Sequence, residues 1–178
     1  MCVIIYKPAG VKMPSIEILN AAYRANPHGC GFSSSSKTFK SLDYSKLLRQ
    51  LSQVADSEPC IIHFRLATHG SVKQSNCHPF KRGGITFAHN GVLGIAPVGD
   101  KTDSETAFIK YIYPAIKRYG WDSCEVDSLI NHLIGFSKFA IMYHGEVKLY
   151  GNYLLQPDGC YYSNLRFNAY LPYQYKAV

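Results

Sequence analysis

"MCVIIYKPAG", residues 1–10, decides how the rest of the chain is read. Val3-Ile4-Ile5-Tyr6 is β-branched and aromatic, the composition of a buried strand, and Pro8 and Gly10 end it. Cys2 stands directly before that run. As a small apolar residue it would simply lengthen the strand. If Met1 is removed, Cys2 carries a thiol and a free α-amino group on one residue, a nucleophile beside its own base. A strand that begins at a reactive terminus needs partners on both sides and a site at its end.

The remaining chain supplies candidates for both. Its 178 residues are enough for one domain with a real core, so a single domain over 1–178 is expected. No apolar run is long enough for a membrane span, and the N-terminus lacks a basic n-region and a proper apolar h-region. A cytoplasmic protein is therefore expected. Six cysteines are scattered without a C-x-x-C pair, which argues against a zinc ribbon or a redox dithiol. The net charge of +7 comes from 19 Lys and Arg against 12 Asp and Glu. The longest basic cluster is only Lys81-Arg82, so nucleic-acid binding is disfavoured.

Hydrophobic spacing gives an alternating order of strands and helices. Pro14-Ser15 opens a helix with Ile16, Leu19, Ala22 and Tyr23 on one face. Strands are expected around Phe32 and at 38–40. A helix follows over 43–55, with Leu47, Leu48, Leu51 and Val54 apolar. "CIIHFRLA" at 60–67 and "ITFAH" at 85–89 read as strands. Thr102 and Glu105 have capping-box spacing, and Ala107, Phe108, Tyr111, Ile112, Ala115 and Ile116 mark the buried face of a helix to about Tyr119. A further helix spans roughly 123–134. "KFAIMYHGEVKLYG", 138–151, is a hairpin around His144-Gly145. Strand-like pieces lie at 160–167, and the tail tyrosines 161, 162, 170, 173 and 175 are expected to pack on the body. This order predicts an α+β fold with mainly antiparallel sheets.

Three stretches carry candidate chemistry, each with a plain alternative. Arg65 closes a strand just before Thr68-His69-Gly70. It could hold a carboxylate bidentately, or be an ordinary loop-edge arginine. His89-Asn90-Gly91 could turn an amide and an N–H in one direction as oxyanion donors, yet Asn-Gly after an apolar strand is also a common hairpin turn. Thr102-Asp103-Ser104-Glu105 makes a good helix start, and Asp103 there could face an ammonium group. His63, His69, His78 and His89 show no recognised metal-ligand spacing, so neither metal nor cofactor is expected.

Taken together and in order, Cys2, Arg65-x-x-Thr68-His69-Gly70, Asn76-x-His78-Pro79, His89-Asn90-Gly91 and Asp103-Ser104-Glu105 resemble the class II glutamine amidotransferase domain. "NPHGCGF" at 26–32 is similar to the family's early N-P-D-G-x-G segment. The likeness is close over about 2–108. It implies a four-layer αββα N-terminal-nucleophile hydrolase sandwich. It also implies roles. Cys2 would attack the side-chain amide of L-glutamine and form a thioester. Asn90 and Gly91 would hold the oxyanion, Arg65 with Thr68 and His69 the α-carboxylate, and Asp103 the α-ammonium group. Loop 68–80 would serve as a lid. With no second domain expected, the ammonia would go to a separate acceptor enzyme or subunit. Two positions depart from the family pattern: His28 stands where an acid is common, and Leu66 where the synthase type has an aromatic. Two other readings keep the fold: a hydrolase of another amide, and an inactive domain used as a protein-binding module.

Overall fold

The computed structural model describes residues 2–67 and 71–172. Strand β1, Val3–Lys7, forms where the opening stretch requires it. It lies between β4, Cys60–Phe64, and β10, Tyr161–Tyr162, both antiparallel to it. Beyond β4 lie β2, Cys30–Ser34, and β3, Thr38–Ser41, while β9, Leu154–Leu155, closes the other edge. The second sheet holds β5, Phe80–Arg82, β6, Ile85–Asn90, β7, Lys138–Tyr143, and β8, Glu146–Tyr150, in that order and all antiparallel.

Strand alternation sorts the side chains into three cores. Val3 and Ile5 point outward with Phe32, Ile62 and Phe64 against α1, Ile16–Ala25, and α2, Tyr44–Leu51. Ile4 and Ile61 point inward and meet Ala88, Ala140 and Met142 of the second sheet. Phe87, Phe139 and Ile141 face α3, Asp103–Ala107, α4, Tyr113–Tyr119, and α5, Cys124–Ile134. The layers are therefore helix, sheet, sheet, helix, the expected sandwich. Among the described residues no helix is long and apolar enough to cross a membrane.

Some local expectations are corrected. Ile16 is 47% exposed, because it opens α1 beyond the edge of the packed stripe. The helix from Thr102 to Tyr119 holds in extent but contains a π-helical turn at Phe108–Ile112. Pro114 just beyond has no N–H to close onto Lys110, and the wider turn swings Tyr111 off the buried stripe, to 42% exposure. Asn90-Gly91 is not a hairpin turn, since Asn90 still pairs with Lys138 and a loop follows. The tight turn lies instead at Gly83-Gly84, both with positive φ, between β5 and β6. Strand β4 stops at Phe64, short of 67. Tyr170 is 50% exposed rather than packed. Tyr173 and Tyr175 lie outside the described residues.

One buried cation braces β1. Lys7 is fully buried, and its Nζ donates to the carbonyls of Asp56 and Glu58 at 2.7 Å each and of Pro8 at 3.3 Å. An ammonium has three protons, and four carbonyls share them, with Ala55 O the fourth at 3.5 Å. This ties the far end of β1 to the loop after α2 and leaves its Cys2 end at the site.

Candidate active site

Alternation along β1 places Cys2 on the same side as Ile4, toward the second sheet. Its thiol rests on the Leu66 peptide: Sγ accepts from Leu66 N at 3.4 Å and lies 3.6 Å from Leu66 O. The Cys2 carbonyl accepts from Asn164 Nδ2 at 2.9 Å. Burial pushes the thiol pKa up, against smaller opposing effects that include the Leu66 peptide and the Arg65 charge. At neutral pH the thiol is therefore protonated and needs a base to become a nucleophile.

A cavity of about 410 Å³ opens in front of Cys2, at the end of the gap between the sheets. Arg65, Gly91 and Asp103 all line it with Cys2, although they are far apart in the chain. Arg65 is 5% exposed, and its Nη1 donates to Ser71 O at 3.2 Å. A guanidinium held at a cavity wall is suited to a carboxylate. Thr68 and His69 lie outside the described residues.

His28 accounts for one departure from the family pattern. Its Nδ1 accepts from Ala67 N at 3.0 Å, and its own N–H donates to Arg65 O at 2.9 Å. The imidazole thus supplies an acceptor that a carboxylate could also supply, and it fixes the segment carrying Arg65.

Across the cavity, Gly91 has φ +146, and a Cβ there would run into the side chain of Ser137. Only glycine lets the chain leave β6 at this point. Asn90, one residue earlier, is buried and does not line the cavity. Its Nδ2 lies 2.8 Å from Ser163 Oγ, and its Oδ1 has no partner among the described residues. Asp103 opens α3. Its Oδ2 accepts from Leu93 N at 2.9 Å and its Oδ1 from Ser104 N at 2.7 Å. It therefore both faces the cavity and holds the loop after Gly91.

Two buried histidines, His78 and His89, line the cavity, and a third, His63, lies behind them. His63 Nε2 lies 3.2 Å from His89 O and 2.9 Å from His78 Nδ1. A carbonyl only accepts, so His63 carries its proton on Nε2, and His78 Nδ1 accepts it. His78 then carries its proton on Nε2. His89 Nδ1 meets Ser104 Oγ at 2.7 Å, which links it to Asp103. Burial holds His63 down to about 3 and His89 to about 4, and lowers His78 well below the usual value. All three are neutral at neutral pH. The short His63–His78 contact is a direct hydrogen bond, which is the part these rings play in the fold.

Sequence reasoning named Leu66 and Ser104 without their contacts and missed Ser137, Ser163 and Asn164. Leu66, Ser104, Ser137, Ser163 and Asn164 belong to no periodic pattern, and each matters through one hydrogen bond or one close approach. Asn76 and His78 stood out only as a motif. Asn76 Nδ2 donates to Ser71 O at 3.0 Å, bracing the same carbonyl that Arg65 uses.

Comparison with known proteins agrees with this architecture. A relative, glutamine--fructose-6-phosphate aminotransferase (isomerizing) of Rhizobium leguminosarum bv. viciae, is 29% identical over 97 residues, covering 48% of this chain and 16% of that protein. A solved structure, described as the allosteric regulatory enzyme of purine biosynthesis, matches with a TM-score of 0.56 at 18% identity. It covers 91% of this chain and 41% of that one, and at this identity the likeness is one of fold. The chain thus spans well under half the length of either. The sequence model described as "Glutamine amidotransferases class-II" matches residues 23–155, a stretch that includes Arg65, Asn90, Gly91 and Asp103. With most of its length matched in this way, the chain belongs to the class II glutamine amidotransferases.

Proposed function

We propose that this protein is a glutaminase that releases ammonia from L-glutamine for a separate acceptor enzyme, with Cys2 as nucleophile after removal of Met1. The observation that carries the reading is the shared cavity, whose wall holds the Cys2 thiol, the Arg65 guanidinium and the Asp103 carboxylate. Glutamine is a zwitterion with an amide at its far end. A selective site needs one fixed cation, one fixed anion and a nucleophile, and these three are present. The name of the Rhizobium relative, which includes glutamine, supports the same substrate.

The chemistry follows from the placement. Cys2 Sγ attacks the side-chain amide carbon, and its proton passes to the Cys2 α-amino group, whose unperturbed pKa of about 7.7–8.0 suits a base near neutral pH. The amide oxygen becomes an oxyanion, stabilised by Gly91 N–H and the Asn90 amide. The α-amino group returns the proton to the leaving nitrogen, and ammonia departs from a Cys2 thioester. Water then attacks that thioester and frees glutamate. Arg65 and Asp103 hold the ends of the substrate throughout, so their binding energy goes into orientation.

The test is a comparison of amide substrates. Glutamine, asparagine and a simple primary amide are offered to the processed protein, and ammonia release is followed. Glutamine is expected to exceed both by at least about 100-fold in kcat/KM, since each lacks a correctly spaced charge or the charges altogether. Equal rates on the simple amide would point to a hydrolase of another amide. Release from none of them would favour an inactive binding module.

A further inference from the structure

The segment after β10 touches both halves of the site, yet it lies beyond the stretch matched by the family. Ser163 N donates to Ile4 O at 2.9 Å, and Ile4 N donates back to Ser163 Oγ at 2.8 Å. Asn90 Nδ2 lies 2.8 Å from the same hydroxyl. The next residue, Asn164, donates from Nδ2 to the Cys2 carbonyl at 2.9 Å. Ser163 is 2% exposed and Asn90 3%, so water does not compete freely for these groups. Two adjacent residues therefore hold the nucleophile's own carbonyl and the amide assigned to the oxyanion. Their Cα atoms are held about 3.8 Å apart by the peptide bond, which limits the separation of what they grip.

The hydrogen-bond inventory adds an orientation. A serine hydroxyl has one proton to give and two lone pairs to offer. Ile4 N–H uses one lone pair. If Asn90 Nδ2 uses the other, the hydroxyl proton has no acceptor among these groups, and Asn90 Oδ1 remains buried without a partner among the described residues. Exchanging the two ends of the Asn90 amide, which are assigned from the network, lets Ser163 O–H donate to Oδ1. The hydroxyl proton and Oδ1 then pair with each other. Both Asn90 N–H donors then turn away from Ser163, into the buried position that Oδ1 held, where no partner lies among the described residues.

We propose that Ser163 and Asn164 are positioning residues for the Cys2 centre: they fix the spacing of Cys2 and Asn90, and Ser163 turns the Asn90 amide so that it donates to the reacting oxygen. This rests on the reading of Cys2 as an amide-cleaving nucleophile.

The test measures kcat, KM and thermal midpoint for Ser163→Ala, Asn90→Ala, their double variant and Asn164→Ala. Ser163→Ala lowers kcat on the order of 10- to 100-fold and leaves KM within about twofold, because the oxyanion exists only in the transition state. The double variant is no slower than Asn90→Ala alone, because the hydroxyl acts through that amide. Asn164→Ala, on a less buried side chain, also lowers kcat with KM kept, and it carries the test if Ser163→Ala does not fold. Wild-type kcat in a folded Ser163→Ala and in Asn164→Ala, or full additivity in the double variant, would overturn the proposal while leaving the glutaminase reading intact. Absence of glutamine turnover in the processed wild type would overturn both.

Discussion

Replacing Cys2 by alanine is expected to lower kcat for glutamine hydrolysis by on the order of 10⁴-fold or more, the loss typical when a covalent nucleophile is deleted. Binding should survive, since Arg65 and Asp103 line the cavity independently of the thiol. The variant should therefore still bind glutamine in a calorimetric titration while releasing no glutamate. The wild type carries a pH signature of the same chemistry. Burial raises the thiol pKa, so the thiol is protonated at neutral pH and must lose its proton to the α-amino group. The active form has that amine unprotonated. Below about pH 7.7, kcat/KM should fall about tenfold per pH unit, and above the amine pKa it should level off. Glutamate release measured from pH 5 to 9 checks both the slope and its direction.

The second large effect is expected at Gly91. Its φ of +146 strains any other residue, and an added Cβ would meet the Ser137 side chain and come within 2.9 Å of Ser137 Cα. Ser137 cannot simply move aside. It is buried, its Oγ donates to Val92 O at 3.2 Å, and it leads directly into β7. Gly91→Ala should cost roughly 2–4 kcal/mol of stability, the sum of backbone strain and overpacking. It should also lower kcat by about 100-fold through displacement of the Gly91 N–H. Adding Ser137→Gly removes the side-chain collision but neither the 2.9 Å approach to the Cα of residue 137 nor the positive φ. Denaturant midpoints should therefore recover in part, and a full recovery would show that φ carries no cost there.

Much of the fold could be read from residue patterns because it rests on periodicity. Val3 to Tyr6, Cys60 to Phe64 and Ile85 to His89 alternate or run apolar as buried strands do, and each lies where expected. His144-Gly145 makes its tight turn, with φ of 49 and 83. The errors arose where one local feature can serve two structures. Asn90-Gly91 has the composition of a hairpin turn, but Asn90 pairs with β7 and Gly91 is needed for a close approach to Ser137. The true turn, Gly83-Gly84, lies in a stretch noted only for its charge. Tyr111 fits a regular helical stripe, and only the missing N–H of Pro114 explains why it faces outward.

The site divides in the same way. Cys2, Arg65, Gly91 and Asp103 could be chosen because nucleophiles, charges and glycines have distinct chemistry, and they line one cavity. Asn90 could be named, but its amide is turned by Ser163, which sits far away in sequence. Serine and asparagine make such contacts through a single atom, and no spacing rule reports them before the chain is folded. His63 and His78 were noted for lacking metal-ligand spacing, and nothing in the sequence showed that their rings bond directly to each other.

The most direct measurement is the intact mass of the purified protein before and after exposure to a diazo-ketone analogue of glutamine, with the modified residue located by peptide mapping. The account predicts a chain without Met1 that gains one adduct, on Cys2. A chain without Met1 that gains no adduct, or gains one on another thiol such as the exposed Cys124, would contradict it.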